Sequence, residues 1–318
     1  MPARCASGFA PIALWLLLPA ETAGSQLAQD AAFSIEADGF RVDATLGPEA
    51  APVPREALVA WVSEAAHDVM LFLGRPPVPR VPLRILTGGS GGIGSGRSFG
   101  GEGAASIRIA VGRRTTTLDL TQDWVLTHEL VHLALPDLPR EQLWIEEGLA
   151  TYVEPIARAR RGRLSVAELW GGLVEGIPKG VAHAGGPGLD ETDAWGSTYW
   201  GGALFWLMAD VEIRERSGNR RSIADALAGI AADGGNATVH WQVARLLAAA
   251  DGAVGTPVLT RLYKKMGPRP MPTDLEAYWQ RLGVLATPEG VRFNEAAPLA
   301  PIRRAITARS PAPAAPAG

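Results

Sequence analysis

Apolar residues in the first third of the chain alternate with polar ones or recur at helical spacing, whereas beyond residue 165 they recur almost only at helical spacing. Phe33 to Ala44 alternates as a strand does. Arg55 to Leu73 places Leu58, Trp61, Val62, Ala65, Val69 and Leu73 on one helical face before Gly74 and a Pro-rich turn. Val81 to Thr87 reads as a strand. Gly88 to Gly103 is rich enough in Gly and Ser to predict a mobile loop, after which Ile107, Ile109 and Val111 carry a strand from Ala105 to Gly112. The chain then turns helical, from Thr121 to Leu135, where Pro136 stops it, and from Glu141 to Val153, ended by Pro155. Further helices are predicted at Val166 to Val174, Ser197 to Arg216, Ser222 to Ala231, Val239 to Ala249, Pro257 to Lys265 and Asp274 to Leu282. Strands first and helices afterwards make an α+β protein. The expected division is a sheet-bearing lobe over 30–161 and a helical lobe over 162–300.

The ends carry a different composition. A basic start, an apolar run from Phe9 to Ala20 and small residues around Ala23 to Ser25 have the layout of a secretory signal, assigned to 1–25, so the mature protein is expected outside the cytoplasm. The run is too short to span a bilayer comfortably, and no stable membrane association is expected after its removal. The sole cysteine, Cys5, leaves with the signal, so neither a disulfide nor a cysteine nucleophile or ligand is expected. The Ala/Pro-rich end, 301–318 and above all Pro311 to Gly318, is expected to be a disordered tail. With 30 basic and 33 acidic residues the chain has no electrostatic reason to bind nucleic acid. The run Arg158, Arg160, Arg161, Arg163 reads as a solvated helix end. The Gly-rich stretch lacks the Lys-Ser/Thr ending of a phosphate loop and leads into a strand.

Candidate chemistry concentrates in Thr127-His128-Glu129-Leu130-Val131-His132, an H-E-x-x-H within a helix. Four residues advance about 400°, so His128 and His132 share a face and can share an ion. The apolar set Trp124, Val125, Leu130, Val131 and Leu133 predicts burial, and buried histidines need a partner. The next helix offers Glu146 and Glu147, either of which completes a His, His, Glu donor set that leaves a fourth position for water. Fourteen residues lie between His132 and Glu147, enough to turn at Pro136 to Pro139 and return antiparallel.

These segments resemble the gluzincin zinc metallopeptidases of the thermolysin-like superfamily, particularly the aminopeptidase N and glycyl aminopeptidase branches and their compact peptidase-MA-like relatives. Trp144, Glu147, Gly148, Ala150 and Tyr152 match that family's Trp-x-x-Glu-Gly-x-Ala-x-Tyr pattern. Tyr199 to Leu204 is similar to its Tyr-x-Lys-Gly-Ala-Leu segment, with Gly201 at the lysine position, and Asp210 to Arg214 to the Asp-x-x-Ile-Arg beyond it, extending to Arg221 to Asp225. The resemblance covers Trp124 to Ala228. It implies a thermolysin-like zincin fold, zinc on His128, His132 and Glu147, Glu146 as a solvated or outlying carboxylate, and Tyr199 aimed at the metal as oxyanion donor. The aminopeptidase branches also carry a Gly-rich edge motif ending in Glu, which Gly100 to Gly103 matches poorly; Glu102 reads as a loop carboxylate, and aminopeptidase action does not carry over.

The expected chemistry is hydrolysis of peptide bonds by a water acidified by zinc toward a pKa of about 7, with Glu129, turned about 100° from His128, moving the proton. A peptide or protein substrate is expected, paired along the strand Ala105 to Val111. Thr151, one turn beyond Glu147, is a candidate for orienting a ligand, with ordinary helix packing as the alternative. An exported, non-catalytic zinc-containing scaffold, or a hydrolase of a non-peptide amide or ester, is compatible with the same donor set.

Overall fold

The computed structural model describes residues 32–308, apart from 48, 50, 51 and 182–185. The signal assigned to 1–25 and the tail from 309 lie outside the described residues. Among those described, no helix is long and apolar enough to cross a membrane.

Five strands form one mixed sheet in the order β1-β2-β3-β5-β4: β1 (Ala32–Ala37), β2 (Phe40–Leu46), β3 (Arg80–Thr87), β4 (Ile93–Phe99) and β5 (Ser106–Val111). The stretch that reads as one strand from Phe33 is a hairpin, because Asp38 and Gly39 take positive φ, 48° and 84°, the conformation of tight two-residue turns. β3 lies parallel to β2 and β5, and β4 closes the sheet antiparallel to β5. This pairing corrects two expectations. The segment expected to be a mobile loop contains β4, formed by backbone pairing that needs no large side chains, with an irregular register between Ile93 and Gly96. Strand β5 is paired on both sides, so Ala105 to Val111 has no free edge; the edge belongs to β4.

Helix α1 (Arg55–Leu73) buries Leu58, Val62 and Val69 and packs against β1 and against the two metal-motif helices. A short α2 (Thr117–Gln122), held by a Thr116/Asp119 capping box, precedes α3 (Val125–His132). The expected single helix from Thr121 is broken at Asp123, whose carboxylate accepts from the amides of Val125 and Leu126 at 2.9 and 3.0 Å and from Trp61 Nε1 at 2.8 Å. Such a side chain draws the backbone out of one helix and starts the next.

Helix α4 (Leu143–Arg161) runs through Pro155 rather than stopping before it. Burial of Ile156, Ala157 and Ala159 offsets the helical hydrogen bond that proline removes. The basic run at its end is held in ion pairs and ring contacts, with Arg158 buried, Arg160 and Arg163 partly buried and Arg161 exposed. Arg158 pairs with Glu154 at 2.8 Å, both about nine-tenths buried; Arg161 and Arg163 pair with the fully buried Asp68; Arg160 lies over the Phe72 ring.

The rest is helical: α5 (Val166–Gly176), α6 (Gly202–Ser217), α7 (Ile223–Ala232), α8 (Val243–Val254), α9 (Val258–Met266) and α10 (Leu275–Leu282). A hairpin of β6 (Val284–Thr287) and β7 (Gly290–Phe293) and a last helix, α11 (Ala300–Thr307), complete it. That last helix corrects the reading of 301–318 as wholly disordered. Ile302 and Ile306 are buried, and Arg303, 2% exposed, donates to the Gly283 carbonyl at 2.8 Å and pairs with Glu295.

α4 and α6 cross with almost no space between them: a Cβ on Gly148 would overlap the backbone of Gly202. Trp206 Nε1 donates to the Ile145 carbonyl at 2.8 Å across this crossing, and Tyr152 donates to Asp210, which also accepts from Arg214 and from the Ile223 amide, each at 2.9 Å. The Tyr152 and Asp210 to Arg214 matches are therefore parts of one buried clamp that holds α6, and the turn before it, against the Glu147 helix.

Candidate metal and catalytic site

His128 and His132 occupy successive turns of α3, with ring centroids 4.9 Å apart and ring planes at 80°. Glu147, on the antiparallel α4, puts Oε2 3.3 Å from His128 Nε2 and 3.5 Å from His132 Nε2. One ligand atom from each lies within 4.8 Å of the others, a group that could hold a metal ion. The crossing at Gly148 fixes how closely Glu147 can approach the segment that carries Tyr199. Trp144, three residues before Glu147, is anchored through Nε1 to Asp190 at 2.9 Å, and Tyr263 donates to the other oxygen of Asp190 at 2.7 Å.

The electrostatics suit a cation. Burial lowers the pKa of His128, favouring the neutral imidazole that a metal requires. For His132 burial is outweighed by the hydrogen bond to Glu147 and the charges of Glu147, Glu129 and Glu146, which raise it, so that a metal ion there would displace a proton. For Glu147, burial pushes upward, but hydrogen bonds and charge from the two histidines outweigh it and hold the carboxyl well below its usual range. The donor set of two imidazoles and one carboxylate within a few ångströms is the chemistry of a catalytic zinc site, so the residues present fit that ion.

Glu129, one residue after His128, is hydrogen-bonded by Ser98 of β4 and lies near enough to His132 and Glu147 to feel their charge. Burial raises its pKa above the ordinary carboxylate value, which makes it a better proton acceptor at neutral pH. The strand lies directly on it. A Cβ on Gly96 would come within 2.5 Å of Glu129 Cγ, so only glycine leaves this carboxylate its space.

Tyr199 sits in a π-helical turn, Ser197–Gly201, that leads into α6. Such turns wind one extra residue into the helix and recur at functional sites. Its ring stacks with those of His128 at 6.3 Å and Trp195 at 5.7 Å. Burial, with Glu147 close by, raises the phenol to about 12, so it remains a hydrogen-bond donor throughout the neutral range.

The sequence-derived candidates His128, His132, Glu147, Glu129 and Tyr199 thus converge on one place. Glu146 is not part of the donor group: it lies near His132 but accepts from the Leu138 amide at 3.1 Å, and burial raises its pKa to about 7. Glu102, exposed at a φ of 52°, stands in the turn after β4, whose Gly101 amide donates to the Ala237 carbonyl at 2.6 Å. The Thr151 hydroxyl is buried without a hydrogen-bond partner and faces an adjoining cavity rather than the ligands. Sequence reasoning missed Ser98, Gly96 and Asp190. The Gly/Ser alternation of Ile93 to Ser98 is the one signal that could have shown the first two, and nothing around Asp190 marks it.

Among solved structures, an aminopeptidase N family protein from Idiomarina loihiensis superposes with a TM-score of 0.61 over 80% of this chain and 49% of its own, at 15% identity. The chain shares the fold of that protein over the aligned part. An M1 zinc metallopeptidase from Deinococcus radiodurans aligns over 74% of this chain and 49% of its own at 16% identity, with a TM-score of 0.46. The chain therefore spans about half the length of these two structures. No protein-family model and no curated protein sequence matches it.

Proposed function

We propose that this gluzincin-like chain is a zinc-dependent peptidase that hydrolyses peptide bonds, with His128, His132 and Glu147 as ligands. The observation that carries this reading is the donor cluster of three side chains with a buried carboxylate, Glu129, on one flank and a protonated phenol, Tyr199, on the other. Zinc in such a donor set supplies Lewis acidity toward water and toward a substrate carbonyl. Glu129 accepts the proton of the attacking water and later returns it to the leaving amine. Tyr199 donates to the carbonyl oxygen as charge develops on it, and burial strengthens that hydrogen bond. Ser98 and the bare Gly96 hold Glu129 in line. The free edge of β4 offers backbone groups to an extended substrate. Export, with residues 1–25 removed, belongs to the same proposal.

The test combines metal analysis with a peptide-library cleavage profile of wild type and Glu129→Gln. Wild type is expected to carry one zinc per chain and to cleave peptides. The variant is expected to keep its zinc and lose about 10²- to 10⁴-fold in kcat, the usual contribution of a positioned acid–base. Full activity in Glu129→Gln, or a zinc-loaded wild type that cleaves nothing, would refute the reading.

A further inference from the structure

Beside the donor cluster, and sharing His128 and Tyr199 with it, opens a cavity of 500 Å³, within the range of about 300–1,000 Å³ usual for small-molecule sites. α5 supplies one wall through Leu169, Leu173 and Gly172. Three tryptophans, Trp124, Trp195 and Trp200, line it as well; the first two are 51% and 60% exposed, although indoles left in water forgo a large burial energy. Of the two carboxylates of the lining, one is held in a buried ion pair and the other caps a helix through one oxygen. Glu154 is ion-paired with Arg158 at 2.8 Å, and Glu168 caps the start of α5 by accepting from the Ser165 amide at 2.9 Å. Arg158 in turn spends its Nη atoms on Glu154 and the Gln122 carbonyl. Most of the lining is therefore aromatic and aliphatic surface, with Glu168 as its exposed carboxylate.

We propose that the cavity binds a large apolar side chain, aromatic above all, of the substrate residue next to the scissile bond. This rests on the peptidase reading and adds a substrate class to it. A small side chain would leave most of the space unfilled and the tryptophans wet, whereas an aromatic ring gains offset or edge contacts with them.

Gly172 gives the means to test this. It lies on the cavity wall within α5, and a Cβ built there has nothing within 4 Å, so the backbone accepts Gly172→Leu, whose side chain is expected to take up part of the void. Removing a helical glycine also favours folding. The zinc-loaded wild type is expected to cleave quenched peptides with Phe beside the scissile bond at least tenfold faster, in kcat/KM, than the same peptides with Ala, and Gly172→Leu to shrink that ratio at least tenfold. Independently of turnover, NMR titration of wild type should show tighter binding of N-acetyl-phenylalaninamide than of N-acetyl-alaninamide or N-acetyl-lysinamide, weakened at least fivefold in Gly172→Leu. Equal binding of the Phe and Ala amides, or preference for the Lys amide, would overturn the proposal. Selective binding of the Phe amide without cleavage of any peptide would uphold the cavity's preference and count against the peptidase reading instead.

Discussion

On one side of Glu129 stand α3 and α4, two buried helices whose every functional side chain is held by neighbours on both flanks. On the other lies β4, an edge strand of small residues whose contribution is made by its backbone and by the absence of side chains. The helical side fixes positions through packing: Asp123 starts α3, Gly148 lets α4 meet α6, and Asp210 with Asp190 ties both to the helices behind. The strand side positions Glu129 by the hydrogen bonds of Ser98 and by the space left at Gly96. A substitution on the first side should therefore act through metal or fold, and one on the second through rate alone.

The largest effect is expected where the helical side holds its ion. His128→Ala and His132→Ala should each lose stoichiometric zinc and all turnover, and Glu147→Ala should do the same, while Glu146→Ala should keep zinc because its carboxylate bonds to the Leu138 amide instead. Elemental analysis of the purified variants decides it. Zinc at a thousandfold over its Kd should stabilise wild type by about 4 kcal/mol and leave His128→Ala unaffected in thermal unfolding. Loss of zinc in Glu146→Ala with retention in Glu147→Ala would reverse the ligand assignment.

The contrast between the two sides also explains what the sequence makes legible. H-E-x-x-H and Trp144 to Tyr152 stand out because helical spacing alone decides which side chains share a face, and each needs a particular residue type. β4 reads as a loop because Gly and Ser have low strand propensity, and its pairing with β5 is a long-range backbone event that no local pattern announces. The continuation of α4 past Pro155, the burial of Arg158 and the folding of 300–307 share one cause: tertiary packing overrules local preference. The cavity beside Tyr199 is illegible in the sequence because its walls come from four separated segments.

Tyr199 stands between the two sides, and its expected effect is intermediate. Tyr199→Phe should bind zinc as wild type does and lose about a hundredfold in kcat, the usual cost of one oxyanion donor, with KM and melting temperature little changed. Because the phenol is raised to about 12, it is protonated, and donating, at every pH below that value. An alkaline limb in the kcat–pH profile between about pH 8 and 10 is therefore expected to persist in Tyr199→Phe, and its disappearance there would assign it to the phenol. Unchanged kcat with a lowered melting temperature would make Tyr199 a packing residue.

The smallest effect separates the two sides most directly, because it makes the same change on each. An alanine at Gly148 puts its methyl into the Gly202 backbone, which cannot yield without moving α6. Gly148→Ala should therefore cost about 1–3 kcal/mol of stability, as overpacked positions do, and disturb zinc and kcat through the displaced Glu147 and Tyr199. An alanine at Gly96 meets only the side chain of Glu129, whose Cγ, Oε1 and Cδ would stand 2.5, 2.7 and 2.8 Å from the new methyl. A flexible carboxylate can swing aside, so the melting temperature and zinc content of Gly96→Ala should stay near those of wild type. The swing takes the base a fraction of an ångström off its line to the water, and since a misplacement of about 1 Å costs about a hundredfold in rate, a loss of roughly tenfold in kcat is expected. If Gly96→Ala instead unfolds at lower temperature with kcat intact, β4 supports the sheet alone and Glu129 is positioned by α3 without it.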